Sequence, residues 1–244
     1  MDTLWLHIVQ WLHTVGLHVD ASTARDVAEG MAQVTQKIDM PGLVALAAAL
    51  GWASGFRLYA VVFMVGAMGS AEWLALPEGL RVLQNPIVLA VAGALMVIEF
   101  FADKVPWLDS AWDALHTVIR VPGGALLAAG VFGADSATMG VVAGLLGGSL
   151  AATSMATKMT ARAAVNTSPE PFSNWSLSFF EDGLVVGVLW LATQYPLLFG
   201  VALVVMLLVS VVLLIVLFKF LRAVLRRISS FFGGAQATME NTNV

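Results

Sequence analysis

Long apolar runs fill the chain from residue 42 onward, and short polar stretches separate them. A membrane-spanning helix needs roughly 20 mainly apolar residues, and six segments approach that length. The pattern therefore predicts an all-α polytopic membrane bundle of about six spans. The third segment is long enough only if the helix before it continues across Pro122. The six segments are residues 42–69, 86–103, 121–133, 138–164, 175–194 and 196–218.

The residues before the first span have a different pattern. Leu4, Ile8 and Trp11 recur at helical spacing with polar residues between them, which predicts an amphipathic helix. A second helix is expected over residues 20–38. We therefore predict amphipathic extramembrane helices over residues 1–40, a transmembrane bundle over 41–222, and a cytoplasmic tail over 223–244 with a disordered end.

Composition supports a membrane protein and excludes several other classes. The chain has 244 residues, of which 59% are hydrophobic and only 11% charged, whereas soluble domains carry about 25% charged residues. The net charge of −4 argues against nucleic-acid binding. The chain has no cysteine and no recognisable nucleophile motif, so we predict neither a cofactor nor an enzyme. A carboxylate-based membrane hydrolase remains open.

The distribution of basic residues predicts the orientation of the bundle. Cytoplasmic loops are enriched in Lys and Arg. With six spans, residues 104–120, the Lys158–Arg162 pair and the basic C-terminal segment all fall on one side. This arrangement predicts an inner-membrane, multi-pass protein with both termini in the cytoplasm.

Weak internal similarities leave two interpretations open. Gly140-Val-Val-Ala-Gly resembles Gly42-Leu-Val-Ala-Leu, and a Phe-Phe-x-Asp pattern occurs near residues 100 and 179. These similarities favour two inverted three-helix halves, an architecture that many transporters share. The similar composition of all apolar spans is the competing explanation.

Glycines spaced four residues apart mark close helix packing in lipid. They occur at Gly51 and Gly55, over residues 140–148, and at Gly183 and Gly187. Such faces can join helices of one chain or form a homo-oligomer. Alternatively, the first pair breaks the first span and frees backbone groups to contact a solute.

One basic residue lies deep inside the first span. Arg57 stands about fifteen residues into that segment, where a charge is costly without a partner. Its expected partner is a carboxylate from another helix, with Glu99, Glu181 and Asp182 as candidates. A purely structural ion pair is the alternative interpretation.

A second group of polar residues follows the second span. On a helix, Asp109, Asp113 and His116 stand at i, i+4 and i+7 and share one face. Together with Glu99 and Asp103 they could bind a divalent cation or relay protons, and the predicted metal ligands are Asp109, Asp113 and His116. A Trp-rich helix at the membrane surface would show similar residues merely to face water.

Polar residues also flank the fourth and fifth spans. Glu170 stands between two prolines that keep it extended, and Asn174 follows shortly after. Lys158 and Arg162 share one helix face, where they could bind an anionic headgroup or anchor the helix by snorkelling.

Three of these stretches together resemble a known family. They are Gly55-Phe-Arg57-Leu-Tyr59, the run Glu99-Phe-Phe-Ala-Asp103-Lys104-Val-Pro106, and Asn166-Thr-Ser-Pro169-Glu170-Pro171-Phe-Ser173-Asn174-Trp175. They are similar to a bacterial integral-membrane family catalogued as domain-of-unknown-function family 4126. The resemblance covers about residues 42–218 and implies an inner-membrane location but no activity.

The leading hypothesis is a transporter or channel for a small ionic solute, with a divalent cation as the favoured solute. The alternatives are a protein that binds or translocates lipid by an anionic headgroup at Lys158 and Arg162, and a structural or assembly protein. The expected partners are membrane lipids and the solute. The predicted pathway residues are Arg57, Glu99, Asp103, Asp109, Asp113, His116, Glu170, Asn174, Glu181 and Asp182.

Overall fold

The computed structural model describes residues 39–133, 136–166 and 171–240, and every regular element in them is helical. This confirms the predicted all-α class. The predicted N-terminal amphipathic helices lie outside the described residues. The elements are α1 (Met40–Ser70), a 3-10 helix (Glu78–Gln84), α2 (Pro86–Ala102), α3 (Pro106–Phe132), α4 (Ala137–Val165), α5 (Pro171–Gln194) and α6 (Pro196–Glu240).

Five of these helices are long and apolar enough to cross a membrane, and a sixth candidate combines the 3-10 helix with α2 across a bend of 69°. The predicted membrane bundle of about six candidate spans is thus confirmed. Helix α3 does continue through Pro122, as the third span required. Helix α6 extends past residue 222 to Glu240.

Local sequence signals explain where the helices begin. The Asp39 carboxylate accepts a hydrogen bond from the backbone N–H of Gly42, and the Asn85 side chain accepts one from Ile87. Such side chains satisfy backbone donors that the first helical turn leaves unpaired. Helices α1, α2 and α3 also carry a proline in their first turn, where its missing N–H costs nothing.

Helices α3 and α4 form an antiparallel pair that defines the two ends of the bundle. Near the short connection between them, Gly140 lies against Gly133. Farther along, Thr117 Oγ1 lies 3.7 Å from Met159 Sδ. We call the end with this connection the connection end and the opposite end the charged end.

Helix α1 is interrupted in its middle. Arg57 has φ −148° and ψ 80°, which is not a helical conformation, and it divides α1 into a first half (40–56) and a second half (58–70). Each half is shorter than the roughly 20 residues that a span requires. The break that the glycines suggested is present, but it falls on Arg57 itself.

The first half of α1 runs in the same direction as α4, towards the charged end. Gly51 packs against Gly147 so closely that a Cβ on Gly51 would stand 2.5 Å from the Gly147 Cα. One turn later, the Phe56 carbonyl accepts a hydrogen bond of 3.2 Å from Lys158 Nζ. Later residues of α1 thus contact later residues of α4, which shows that the two segments run in parallel.

Helix α2 also runs towards the charged end. The 3-10 helix before it packs Gly79 against Gly130 at the connection end. Asp103, which directly follows α2, lies 3.7 Å from Lys158 Nζ near the end of α4.

The second half of α1 runs opposite to α2 and so returns to the connection end. Arg57 pairs with Asp103 at the end of α2, whereas Gly66 packs against Leu89 at its beginning. Since the first half runs towards the charged end and the second half away from it, α1 is a re-entrant helical hairpin. Its tip is Arg57.

Most glycine motifs serve packing within the chain. Gly51 and Gly55 in α1 and Gly147 in α4 all lie where an added Cβ would collide with a neighbouring helix. In contrast, no described atom lies within 4 Å of a Cβ built on Gly183 or Gly187. The predicted homo-oligomer could therefore use only this last motif, and it stays a prediction.

The hairpin predicts which residues share a membrane face. The chain has no cysteine, so single cysteines can be introduced at three exposed positions, Met40, Ala71 and Phe172. We expect Met40→Cys and Ala71→Cys in proteoliposomes of one orientation to react with a membrane-impermeant maleimide from the same side. Phe172→Cys, at the charged end, should react from the other side. Labelling of Met40→Cys and Ala71→Cys from opposite sides would contradict the hairpin.

Candidate functional site

Charged side chains from five helices meet around the tip of the α1 hairpin. Nine of them are buried, and Asp182 is 32% exposed. Because isolated charges are costly away from water, their burial requires the mutual pairing described below. This charged cluster consists of Arg57, Glu99, Asp103, Asp109, Asp113, Arg120, Lys158, Arg162, Glu181 and Asp182.

Arg57 joins α2 and α5 at the hairpin tip. Its Nη2 lies 2.7 Å from Asp103 Oδ2, and its Nε lies 2.7 Å from Asp182 Oδ1. Nη2 also donates a hydrogen bond of 2.9 Å to Ser178 Oγ. Of the three partners expected from the sequence, Asp182 pairs with Arg57, while Glu99 pairs with another cation.

That other cation is Arg120, which the sequence analysis counted only as a loop charge. Its guanidinium donates hydrogen bonds to Glu99 and to Asp113, the second through Nη1 at 2.6 Å. Arg120 stands eleven residues after Asp109, on the helix face that Asp109 and Asp113 share. This spacing was the signal that could have identified it.

Lys158 and Arg162 project from α4 into the same cluster. Lys158 Nζ lies 3.1 Å from Asp113 Oδ1 and also binds the Phe56 carbonyl beside the α1 break. Arg162 holds Glu181 through two hydrogen bonds of 2.8 and 3.2 Å, a bidentate geometry typical of strong Arg–carboxylate pairs. Both side chains are buried, so neither lies at the surface where a lipid headgroup would reach it.

Three carboxylates, which we call the acidic trio, converge inside the cluster. Asp103, Asp109 and Asp113 each direct one oxygen so that the three oxygens lie within 4.8 Å of one another. No described residue donates a hydrogen bond to either oxygen of Asp109. Its ion-pair contact, with Arg162 Nη1, is 3.5 Å long. Hard cations prefer such carboxylate ligands, so these residues are the ones that could hold a metal ion.

The remaining predicted site residues lie at different places. The His116 ring stacks on Trp112, and its Nδ1 lies 2.7 Å from the Trp112 carbonyl, so the structure groups Asp103 rather than His116 with Asp109 and Asp113. Asn174 is buried one helical turn before Ser178, and no described residue hydrogen-bonds its amide group. Glu170 lies outside the described residues.

Lys104 marks the rim of the cluster. It lies in the turn between α2 and α3, where Nζ donates a hydrogen bond of 3.0 Å to the Phe100 carbonyl and stands over the Phe100 ring. Partial burial, followed by the nearby positive charge of Arg57, lowers the pKa of Lys104 from its ordinary value. The nearby carboxylates of Asp182 and Asp103 oppose this shift, so the rim of the cluster carries charges of both signs.

Comparison with known proteins gives one match. A family model described as a domain of unknown function (DUF4126) matches residues 44–216, which confirms the resemblance noted from the sequence. No curated protein matches the chain, and no solved structure matches it.

The pairing within the cluster predicts a large cost for removing Arg120. Arg120→Met would leave the buried carboxylates of Glu99 and Asp113 without this partner, and breaking a buried pair costs about 3–5 kcal/mol. We expect the free energy of unfolding in detergent to fall by about this amount. Arg81→Met in the exposed part of the 3-10 helix is the matched control and should change stability by about 0.5 kcal/mol or less. Equal effects of the two substitutions would contradict the pairing.

Proposed function

We propose that this protein, which belongs to the domain-of-unknown-function family 4126, is an integral membrane transporter for a small ionic solute. The family assigns no activity, so the proposal is argued from the charged cluster. The observation that carries the proposal is the buried charged cluster at the tip of a re-entrant helix. Ionisable groups inside a membrane protein are costly, and they commonly mark ion or substrate pathways.

The broken helix supports the same proposal. Transporters commonly build solute sites from interrupted helices, because the break frees backbone carbonyls and places them beside the solute. Irregular backbone at membrane depth is tolerated only inside protein or beside a cavity. Here the break lies at Arg57, and the adjacent Phe56 carbonyl already binds a cationic group, the ammonium of Lys158.

The two oxygens of Asp109 accept no hydrogen bond from the described residues, which favours transport over a purely structural role. A structural network would be expected to satisfy its buried acceptors, since each unsatisfied one costs free energy. The lipid-handling alternative has less support, because Lys158 and Arg162 are buried and engaged by carboxylates. We therefore favour a cationic solute over an anionic headgroup.

The cellular setting completes the proposal. Lys104, Lys158 and Arg162 all lie near the charged end, and the basic residues of α6 follow its span. By the positive-inside rule we place the charged end in the cytoplasm of a bacterial inner membrane. The solute would then exchange between the cytoplasm and the cluster beside Asp182, the partly exposed member.

A flux measurement in proteoliposomes tests the proposal. Purified protein would be reconstituted into liposomes that contain impermeant dyes for Na⁺, Ca²⁺ or H⁺, and a gradient of each ion would be imposed in turn. We expect at least one cation to move at least about tenfold faster than in protein-free liposomes. Asp109→Asn should reduce that flux to the background, because it removes a charge that points into the acidic trio.

The control variant is Glu78→Gln, which removes a carboxylate from an exposed position far from the cluster. It should retain the wild-type flux. If folded wild-type protein moves none of these ions above background, the proposal of a cation transporter fails. If Asp109→Asn retains full flux, the pathway does not use the trio.

A further inference from the structure

We propose that the acidic trio binds one monovalent metal cation of the sodium class, coordinated by carboxylate oxygens of Asp103, Asp109 and Asp113. The inference deepens the proposed function, on which it rests for its physiological meaning, by naming the solute class. It differs from the divalent cation and the His116 ligand that the sequence suggested.

The first observation that supports a bound cation is the set of buried carboxylate oxygens that accept no hydrogen bond. Besides both oxygens of Asp109, Oδ1 of Asp103 and Oδ2 of Asp113 are buried without a hydrogen-bond donor among the described residues. Every member of the trio thus has an oxygen that accepts no hydrogen bond, although Asp103 Oδ1 and Asp109 Oδ1 stand at ion-pair distance from Lys158 and Arg162. A bound hard cation would satisfy several of them at once, because it accepts six or more oxygen ligands in proteins.

The trio also has suitable dimensions. Three oxygens that lie within 4.8 Å of one another can surround an ion at oxygen distances of about 2.3–2.6 Å, the range for a larger hard cation such as Ca²⁺. Sodium has a similar size to Ca²⁺. The dimensions alone therefore admit either charge, and the electrostatics of the cluster must decide.

The charge balance favours a single positive charge. The nine buried members of the charged cluster are five carboxylates and four cations, which gives a net charge of −1 when all are ionised. At the rim, the charges of Lys104 and Asp182 cancel. A monovalent cation would make the cluster neutral, whereas a divalent cation would leave it at +1.

Two cationic groups stand beside the acidic trio. Lys158 Nζ lies 3.1 Å from Asp113 Oδ1 and 3.7 Å from Asp103 Oδ1, and Arg162 Nη1 lies 3.5 Å from Asp109 Oδ1. Any ion bound by the trio would stand close to both cationic groups. Coulomb's law scales this repulsion and the attraction of the carboxylates alike with the charge of the ion, so the two cationic groups weaken the binding of any ion. The preference for one positive charge therefore rests on the net charge of the cluster.

Equilibrium binding measured by thermal stability tests the inference independently of transport. Purified protein in detergent at pH 8 would be titrated with NaCl, with choline chloride added to hold the ionic strength constant. A ligand that binds the native state raises the melting temperature. We expect a saturable increase with NaCl, no comparable increase with MgCl₂ or CaCl₂, and loss of the NaCl effect in Asp109→Asn.

Glu78→Gln serves again as the control and should retain the full NaCl effect. A second variant, Asp109→Glu, keeps the charge and should retain sodium binding at altered affinity, which distinguishes ligation from misfolding. A saturable increase with a divalent ion alone, or no increase with any cation, would overturn the inference. Sodium binding without flux would support the sodium site and contradict the transport function. Divalent flux without sodium binding would support transport and contradict the sodium site.

Discussion

The guanidinium of Arg57 is the interaction on which the rest of the structure depends. It lies at the point where α1 reverses direction, and it holds Asp103 after α2 and Asp182 in α5 at 2.7 Å each. An arginine buried at this depth cannot remain unpaired without a large penalty. The need to pair it therefore brings the end of α2 and the middle of α5 to the hairpin tip, and the remaining charges assemble around that arrangement.

Close packing by glycine makes room for the hairpin. Its first half fits between α3 and α4 because Gly51, Gly124 and Gly147 leave space for direct contact between backbones. Between helices in lipid, such contact supplies dispersion energy where the hydrophobic effect supplies none. The apolar part of the bundle therefore positions the charges, and the charges fix the register of the helices that the glycines bring together.

The sequence predicted the helical class, the membrane location and most members of the charged cluster, because long apolar runs and isolated charges within them are local signals. The hairpin was not predicted, since an apolar run of the length of α1, even with Arg57 inside it, also fits one complete span. Arg120 was missed because its charge was assigned to a loop, although its spacing from Asp113 placed it on the same face. The contribution of Asp103 to the trio depends on how α2 meets α3, and no local pattern encodes that contact.

The re-entrant form of α1 changes whether the chain crosses the membrane an even or an odd number of times. A hairpin that enters and leaves by one face adds no net crossing, whereas a complete span adds one. With α2 to α6 each counted as one crossing, an odd number separates Met40 from the end of the α6 span at Phe220. Met40 and Phe220 therefore lie at opposite ends of the bundle, whereas the prediction of both termini in the cytoplasm assumed an even number of crossings.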